Sequence, residues 1–269
     1  MPKALVIRSA GTNCDAEMCR GFALAKAAVD LVHLDALIRD PSRLDSYDLF
    51  GFPGGFSYGD DIASGRIFAM KIRTGLYPAL RAAIERGALM LGVCNGFQVM
   101  VQAGLLPGPE GAWPMVAPSQ SLALTDNQDA RFCDRWVPVA YEVGSACVWT
   151  RNLWDVEDSE AGADGGVLPV AHGEGRLVAI DRGVLASMER AGQIVLRYRD
   201  NYNGSEGAVA GVCDRTGRIF GLMPHPDRFL EWNRHPSWTR LSGKRRSSPT
   251  PGLRMFQNAV EAVSRVGVV

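Results

Sequence analysis

Residues 88–104 read ALMLGVCNGFQVMVQAG, and this stretch decides the fold. Ala88–Val93 is an unbroken apolar run of strand length. Asn95–Ala103 carries a helical pattern, with Gly104 after it and Pro107 beyond as stop signals. Between them, Gly92-Val93-Cys94-Asn95-Gly96 has the glycine–x–nucleophile–x–glycine form of a nucleophile elbow, with cysteine as the nucleophile. A side chain raised on a strand-to-helix turn has strained backbone angles and needs small neighbours, hence Gly92 and Gly96. The helix start beneath Cys94 favours a thiolate, and the Asn95 N–H is free to donate to an oxyanion. A buried structural cysteine is the bland alternative for a lone residue; the two glycines and both flanks favour catalysis.

Outward from this elbow the same alternation recurs. Lys3–Arg8 reads as a buried strand, and Asp15–Ala28 as a helix with Met18, Phe22, Ala25 and Val29 on one face. Asp30–Leu34 and Asp48–Phe52 read as strands, and Tyr77–Arg86 as a helix ended by Gly87. Strand and helix alternating at this spacing predict an α/β fold with a mostly parallel central sheet covered by helices on both faces. Ligands on such sheets bind beyond the carboxyl ends of the strands, where the elbow lies. Gly108–Gln128 reads as loop, and the pattern from Arg135 onward is β-rich. Ala208–Cys213 and Arg218–Met223 flank Asp214–Gly217 as a hairpin. Asp155–Gly166 is acidic and Gly-rich and reads as a mobile loop; Pro236–Pro251 is irregular. A closing helix carries Leu253, Phe256, Val260 and Val263 as its stripe. No linker or repeat divides the chain, so residues 1–269 are expected to form one domain.

A cysteine acyl-transfer site needs a histidine and usually a group to orient it. His225, between Pro224 and Pro226 at the end of the Arg218–Met223 strand, is the best base; Asp227, two residues on in an extended chain, can orient it. His33 reads as a core residue in a strand, His235 as surface or interface, and His172 as part of a flexible Gly-rich turn. The segment Pro53-Gly54-Gly55-Phe56-Ser57-Tyr58-Gly59-Asp60 follows a strand. Its Gly54, Gly55 and Phe56 backbone can supply the second half of an oxyanion hole, although a plain βα turn would look alike. Gln98, one turn after Cys94, can hydrogen-bond a substrate amide or carboxylate, or can be a surface glutamine.

Composition narrows the partners. Lys plus Arg (29) equal Asp plus Glu (29), so no field recruits nucleic acid or anionic membrane. No apolar run is long enough for a membrane span, and the start MPKALVIRSAGTNCD lacks a signal-peptide core. Six cysteines without a CxxC pair are expected as free thiols in a reducing cytoplasm. No P-loop, GxGxxG-plus-helix, HExxH or Cys/His metal spacing occurs, so no nucleotide site and no metal are expected on this chain.

Together these residues resemble the class I (triad) glutamine amidotransferases, and within them the glutaminase subunits of de novo purine synthesis. The likeness rests on GTNCD at Gly11–Asp15, FPGGFSYGDD at Phe52–Asp61, GVCNGFQ at Gly92–Gln98, AHGEGR at Ala171–Arg176, NGS at Asn203–Ser205 and GLMPHPDR at Gly221–Arg228. The resemblance implies a flavodoxin-like amidotransferase fold with an added β-hairpin region and a triad of Cys94, His225 and Asp227 acting on glutamine through a γ-glutamyl thioester. It implies oxyanion donors at Gly55 and Asn95. It implies a separate large synthetase subunit that holds ATP and magnesium and consumes the ammonia, a small accessory subunit, and no cofactor on this chain. His172, Glu174 and Arg176 are then candidates for sensing or contacting the partner. Family members usually carry Glu where this chain has Asp227, one methylene shorter. Another amidotransferase, a cysteine peptidase-like hydrolase on the same elbow, or a non-catalytic assembly subunit are the competing readings.

Overall fold

The computed structural model describes residues 1–153 and 166–266. Of the acidic stretch read as a loop, Asp155–Gly166, all but Gly166 lie outside the described residues. The chain begins with β1 (Lys3–Arg8), α1 (Asp15–Leu24), β2 (Ala28–His33), α2 (Leu34–Arg39) and β3 (Leu49–Phe52). Helix α1 stops earlier than its apolar pattern suggests because Lys26 takes a left-handed conformation (φ 72°), which frees Ala28 to open β2. Next come α3 (Arg66–Lys71), a π turn at Ile72–Leu76 and α4 (Tyr77–Glu85), then β4 (Leu89–Val93) and α5 (Asn95–Gln102). The stretch ahead of Tyr77 is thus helical as well, which its sequence pattern had not shown.

The second half contains β5 (Leu122–Asp126), β6 (Cys133–Tyr141), β7 (Val167–His172), β8 (Glu174–Ala179), α6 (Arg182–Arg190), β9 (Ile194–Tyr198), β10 (Val209–Cys213), β11 (Ile219–Leu222), α7 (Gly243–Arg246) and α8 (Pro251–Val266). Nine strands form one sheet in the order β2-β1-β3-β4-β11-β10-β9-β6-β7. The first five in that order run parallel; the remaining pairings are antiparallel, so the β-rich part extends the sheet well beyond a single hairpin. Strand β5 corrects the reading of residues 108–128 as loop: Leu122 and Leu124 alternate inward, and β5 pairs antiparallel with β8. Helix α6 also escaped the pattern, because Met188 is its one buried side chain; Asp181 caps it by accepting from the Gly183 and Val184 N–H groups.

Both faces of the sheet are covered, and adjacent residues of β3 show it. Gly51 faces α1, where an added Cβ would lie 2.4 Å from Met18 Sδ and 3.1 Å from the Phe22 ring. Phe52 faces the other way, with its ring near Phe68 of α3. Helix α8 closes the first face: Phe256 meets Phe22 edge-on at 5.0 Å, and Gly21 leaves room for that ring. The predicted stripe of α8 is buried at Phe256 and Val260 and half-buried at Leu253 and Val263. Strands β1, β3, β4, β10 and β11 are buried through their centres or throughout, as strands between two helical layers must be. Among the described residues no helix is long and apolar enough to cross a membrane.

Candidate active site

Cys94 stands between β4 and α5 with φ 52° and ψ −110°, a conformation that costs about 1–3 kcal/mol in a non-glycine residue. The surroundings hold it there. Its N–H donates to the Leu222 carbonyl of β11 at 2.8 Å. A Cβ on Gly96 would lie 1.8 Å from the Phe52 carbonyl oxygen, and one on Gly92 would lie 2.3 Å from Met100 Sδ. Only glycine lets the elbow turn this tightly against β3.

Strand β11 is the parallel neighbour of β4, with Leu222 opposite Val93, so the chain leaving β11 emerges beside the cysteine. That is how His225 reaches Cys94 across the sequence. Its N–H donates to the Pro169 carbonyl at 2.8 Å. The extended chain expected between His225 and Asp227 is not what places the carboxylate. Pro226–Arg228 forms a 3-10 turn, and this turn brings the Asp227 Oδ1 to 3.2 Å from His225 Nδ1. The carboxylate fixes the proton on Nδ1 and leaves Nε2 as the basic nitrogen, without a hydrogen-bond partner among the described residues. Both side chains are fully buried. Burial pushes the His225 imidazole down; Asp227 and Cys94 together outweigh it and hold the group well above its ordinary range. Gly54 separates the two catalytic candidates: a Cβ there would stand 2.8 Å from His225 Cε1 and 3.4 Å from Cys94 Cβ.

The loop after β3 folds against the elbow. Phe56 N–H donates to the Gly11 carbonyl and Asn13 N–H to the Gly54 carbonyl, flanking the bridge between Thr12 and Gly55. The Phe56 N–H is therefore committed, while that of Gly55 is turned away from Thr12. The Phe56 ring is exposed and stacks on the exposed Phe132 ring. Asn95 latches the loop to α5: its Oδ1 accepts from Ser57 N–H at 3.2 Å, and its Nδ2 donates to Asp60 and Gln98. Gln98 in turn donates to the Glu174 carbonyl at 2.5 Å, so its amide is engaged and buried rather than a surface group.

The histidines other than His225 differ from their sequence reading. His33 is exposed and ends β2, where its Nδ1 accepts from Asp35 N–H and caps α2. His235 is buried among the rings of Trp136, Phe229 and Trp232. His172 is not in a flexible turn; it ends β7 and is buried, so it presents no surface for a partner. Its protonation follows from its neighbours. Asn127 spends both Nδ2 hydrogens on the Arg131 and His172 carbonyls, so its Oδ1 must accept from His172 Nδ1–H. His172 Nε2 then accepts from the Tyr202 hydroxyl at 2.6 Å. Burial, and then the charge of His225, lower its pKa to about 4, in keeping with a neutral ring. Glu174 is half-buried, with Oε2 near Ser64 N–H; Arg176 is half-buried and donates to Thr125.

Two side chains at the site had drawn no chemical reading from the sequence beyond their place in quoted motifs. Cys14 is buried against His225 and Asp227, donates to Asn13 Oδ1 and accepts from Arg228 Nη2 at 3.0 Å. Only the tertiary structure brings GTNCD to PHPDR.

The whole-chain comparisons agree with this geometry. Residues 1–263 match the model of the CobB/CobQ-like glutamine amidotransferase domain. The chain is 38% identical over 270 residues to "Phosphoribosylformylglycinamidine synthase subunit PurQ" of Dehalococcoides mccartyi, covering 98% of each chain. It is 38% identical over 280 residues to the protein of the same name from Methanococcus maripaludis, covering 97% of each. Among solved structures, a chain of PurLQS from Thermotoga maritima superposes with a TM-score of 0.68 at 30% identity, over 97% of this chain and 99% of that one. With a full-length match to the family model, and with an elbow cysteine beside a buried His–Asp pair, the chain belongs to the CobB/CobQ-like glutamine amidotransferase family.

Proposed function

We propose that this chain is the glutaminase subunit of phosphoribosylformylglycinamidine synthase, hydrolysing glutamine and passing ammonia to a separate synthetase subunit. The observation that carries the chemistry is Cys94 at positive φ beside the buried His225–Asp227 pair. Near-full-length similarity to relatives named for that synthase supports the choice of reaction.

In this reading His225 Nε2 takes the Cys94 proton and the sulfur attacks the glutamine side-chain amide carbon. The N–H groups of Gly55 and Asn95 receive the developing oxyanion; Gly54 lets the loop approach, and Phe56 acts through its loop contact rather than its N–H. The imidazolium returns its proton to the departing nitrogen, so ammonia leaves and a γ-glutamyl thioester remains. Water, deprotonated by His225, then releases glutamate and restores the thiol. Asp227 keeps the ring oriented throughout. Gln98 and Glu174 brace the site; His172 and Arg176 act behind it rather than as direct partner contacts. ATP and magnesium belong to the synthetase, a small accessory subunit completes the complex, residues 1–269 act as one domain, and the chain works in the cytoplasm.

The test is Cys94→Ala in the reconstituted complex. Glutamine-dependent synthesis should vanish, while synthesis from added ammonium persists. Undiminished glutamine turnover would remove Cys94 as the nucleophile.

A further inference from the structure

A second thiol shares the site, and its surroundings are those of a metal ligand. The Cys14 sulfur, one ring nitrogen of His225 and one carboxylate oxygen of Asp227 all lie within 4.8 Å of one another, and all three residues are buried. We propose that these side chains form a binding site for a soft divalent cation of the zinc class, and that its occupancy switches the enzyme off.

The dimensions fit. A tetrahedral zinc ion with nitrogen and oxygen ligands at about 2.0–2.1 Å holds those atoms about 3.3 Å apart. His225 Nδ1 and Asp227 Oδ1 already stand 3.2 Å apart, bridged by a single proton that a metal ion would replace. Asp227 Oδ2 has no hydrogen-bond partner among the described residues, although the side chain is buried. Such an atom gains from a cation in a way a satisfied carboxylate does not.

The sulfur is prepared as well. Cys14 immediately precedes the first turn of α1, and its side chain makes no capping hydrogen bond to that helix. Arg228 donates to it at 3.0 Å. Once the thiolate is on a metal, that N–H···S bond becomes an outer-shell contact of the kind that tunes thiolate ligands. A water or substrate-side ligand can complete the coordination. A cavity of about 220 Å³, lined by Glu17, Arg20, Asp227, Arg228, Glu231 and Arg234 among others, borders the cluster on its Asp227 side.

The proton balance explains the inhibition. Binding releases the Cys14 thiol proton to solvent and displaces the proton on His225 Nδ1, leaving a neutral ring whose one proton sits on Nε2; no electrons are transferred. Nε2 is then a donor and can no longer accept the Cys94 proton. This consequence rests on the glutaminase reading, while the binding itself does not.

Two arms keep those apart. First, cadmium is titrated into the full chain as Cys94→Ala, and the thiolate-to-metal charge-transfer absorption is followed. One tight equivalent is expected. It should weaken by at least about tenfold when Cys14→Ser is added, or Cys14→Ala if the serine variant does not fold. An unchanged titration in both double variants, or no tight equivalent in Cys94→Ala, overturns the site. Second, zinc should block glutamine hydrolysis by the wild-type complex, and a chelator should restore it. If cadmium binds as expected yet zinc leaves hydrolysis intact, the inhibitory half of the proposal falls.

Discussion

The Cys94 thiol donates to the Ala171 carbonyl at 3.6 Å, while His225 Nε2 has no hydrogen-bond partner among the described residues. In the chain alone the sulfur therefore has a backbone oxygen within hydrogen-bond reach, while the base that must remove its proton is not hydrogen-bonded to it. Ala171 precedes His172, whose ring is held by Asn127 and Tyr202, so this carbonyl is not free to drift. On the glutaminase reading proposed above, docking of the synthetase should bring the thiol onto its base.

The isolated chain should accordingly turn glutamine over slowly, with kcat rising on addition of the synthetase subunit. Steady-state glutaminase assays with and without the synthetase check this. Full activity of the chain alone would contradict it.

Gly96→Ala should remove activity and destabilise the fold. The added methyl would fall 1.8 Å from the Phe52 carbonyl oxygen, a backbone atom that cannot rotate away. Overpacking of this kind costs about 1–3 kcal/mol or more, read as a lower urea midpoint with an unchanged m-value.

Asp227→Asn keeps the shape of the orienting group and removes its charge. The rate of glutamine hydrolysis should drop by about 10²–10⁴-fold. With the carboxylate gone, His225 loses the largest influence that holds its protonated form, so the ionisation that His225 contributes to the pH profile of glutamine hydrolysis should move to lower pH. The sign for stability follows. A raised histidine contributes below its unfolded value of about 6.5 and loses that contribution as pH rises through its folded value. Unfolding free energy should therefore fall less steeply above neutrality in the variant than in the wild type. Asp227→Glu should retain most of the activity, because it preserves the orienting carboxylate.

His172 gives the opposite pH dependence. Its pKa is lowered to about 4, so the unfolded chain binds the proton first. The stabilisation is complete above about pH 6.5 and disappears as pH falls toward 4; a gap of this size is worth about 3 kcal/mol. His172→Gln should be less stable than the wild type at pH 7 yet lose less on acidification, measured by urea unfolding between pH 4.5 and 7.

The parallel half of the sheet and the elbow were legible because their signals are local. Leu89–Val93 is short and wholly apolar, and the glycines around Cys94 sit where steric contact with Phe52 and Met100 demands them. His225 was legible from the strand before it and the prolines beside it. What escaped depended on contacts across the chain. Nothing near His172 indicates that Asn127 and Tyr202 would bury and neutralise it. His235 looked polar until three aromatic rings closed around it. Strand β5 was hidden by the prolines before it, although Leu122 and Leu124 alternate as a half-buried strand requires. Cys14 stood in a quoted motif without a role, because only the turn at Pro226–Arg228 brings His225 and Asp227 to it.

The most direct measurement is to label the chain, in its complex, with a glutamine analogue bearing an electrophile, and to map the modified residue by peptide mass. The account predicts a single adduct on Cys94, suppressed by glutamine and absent from His225→Ala at neutral pH. An adduct on Cys14, Cys19 or Cys213 with Cys94 left unmodified would contradict it.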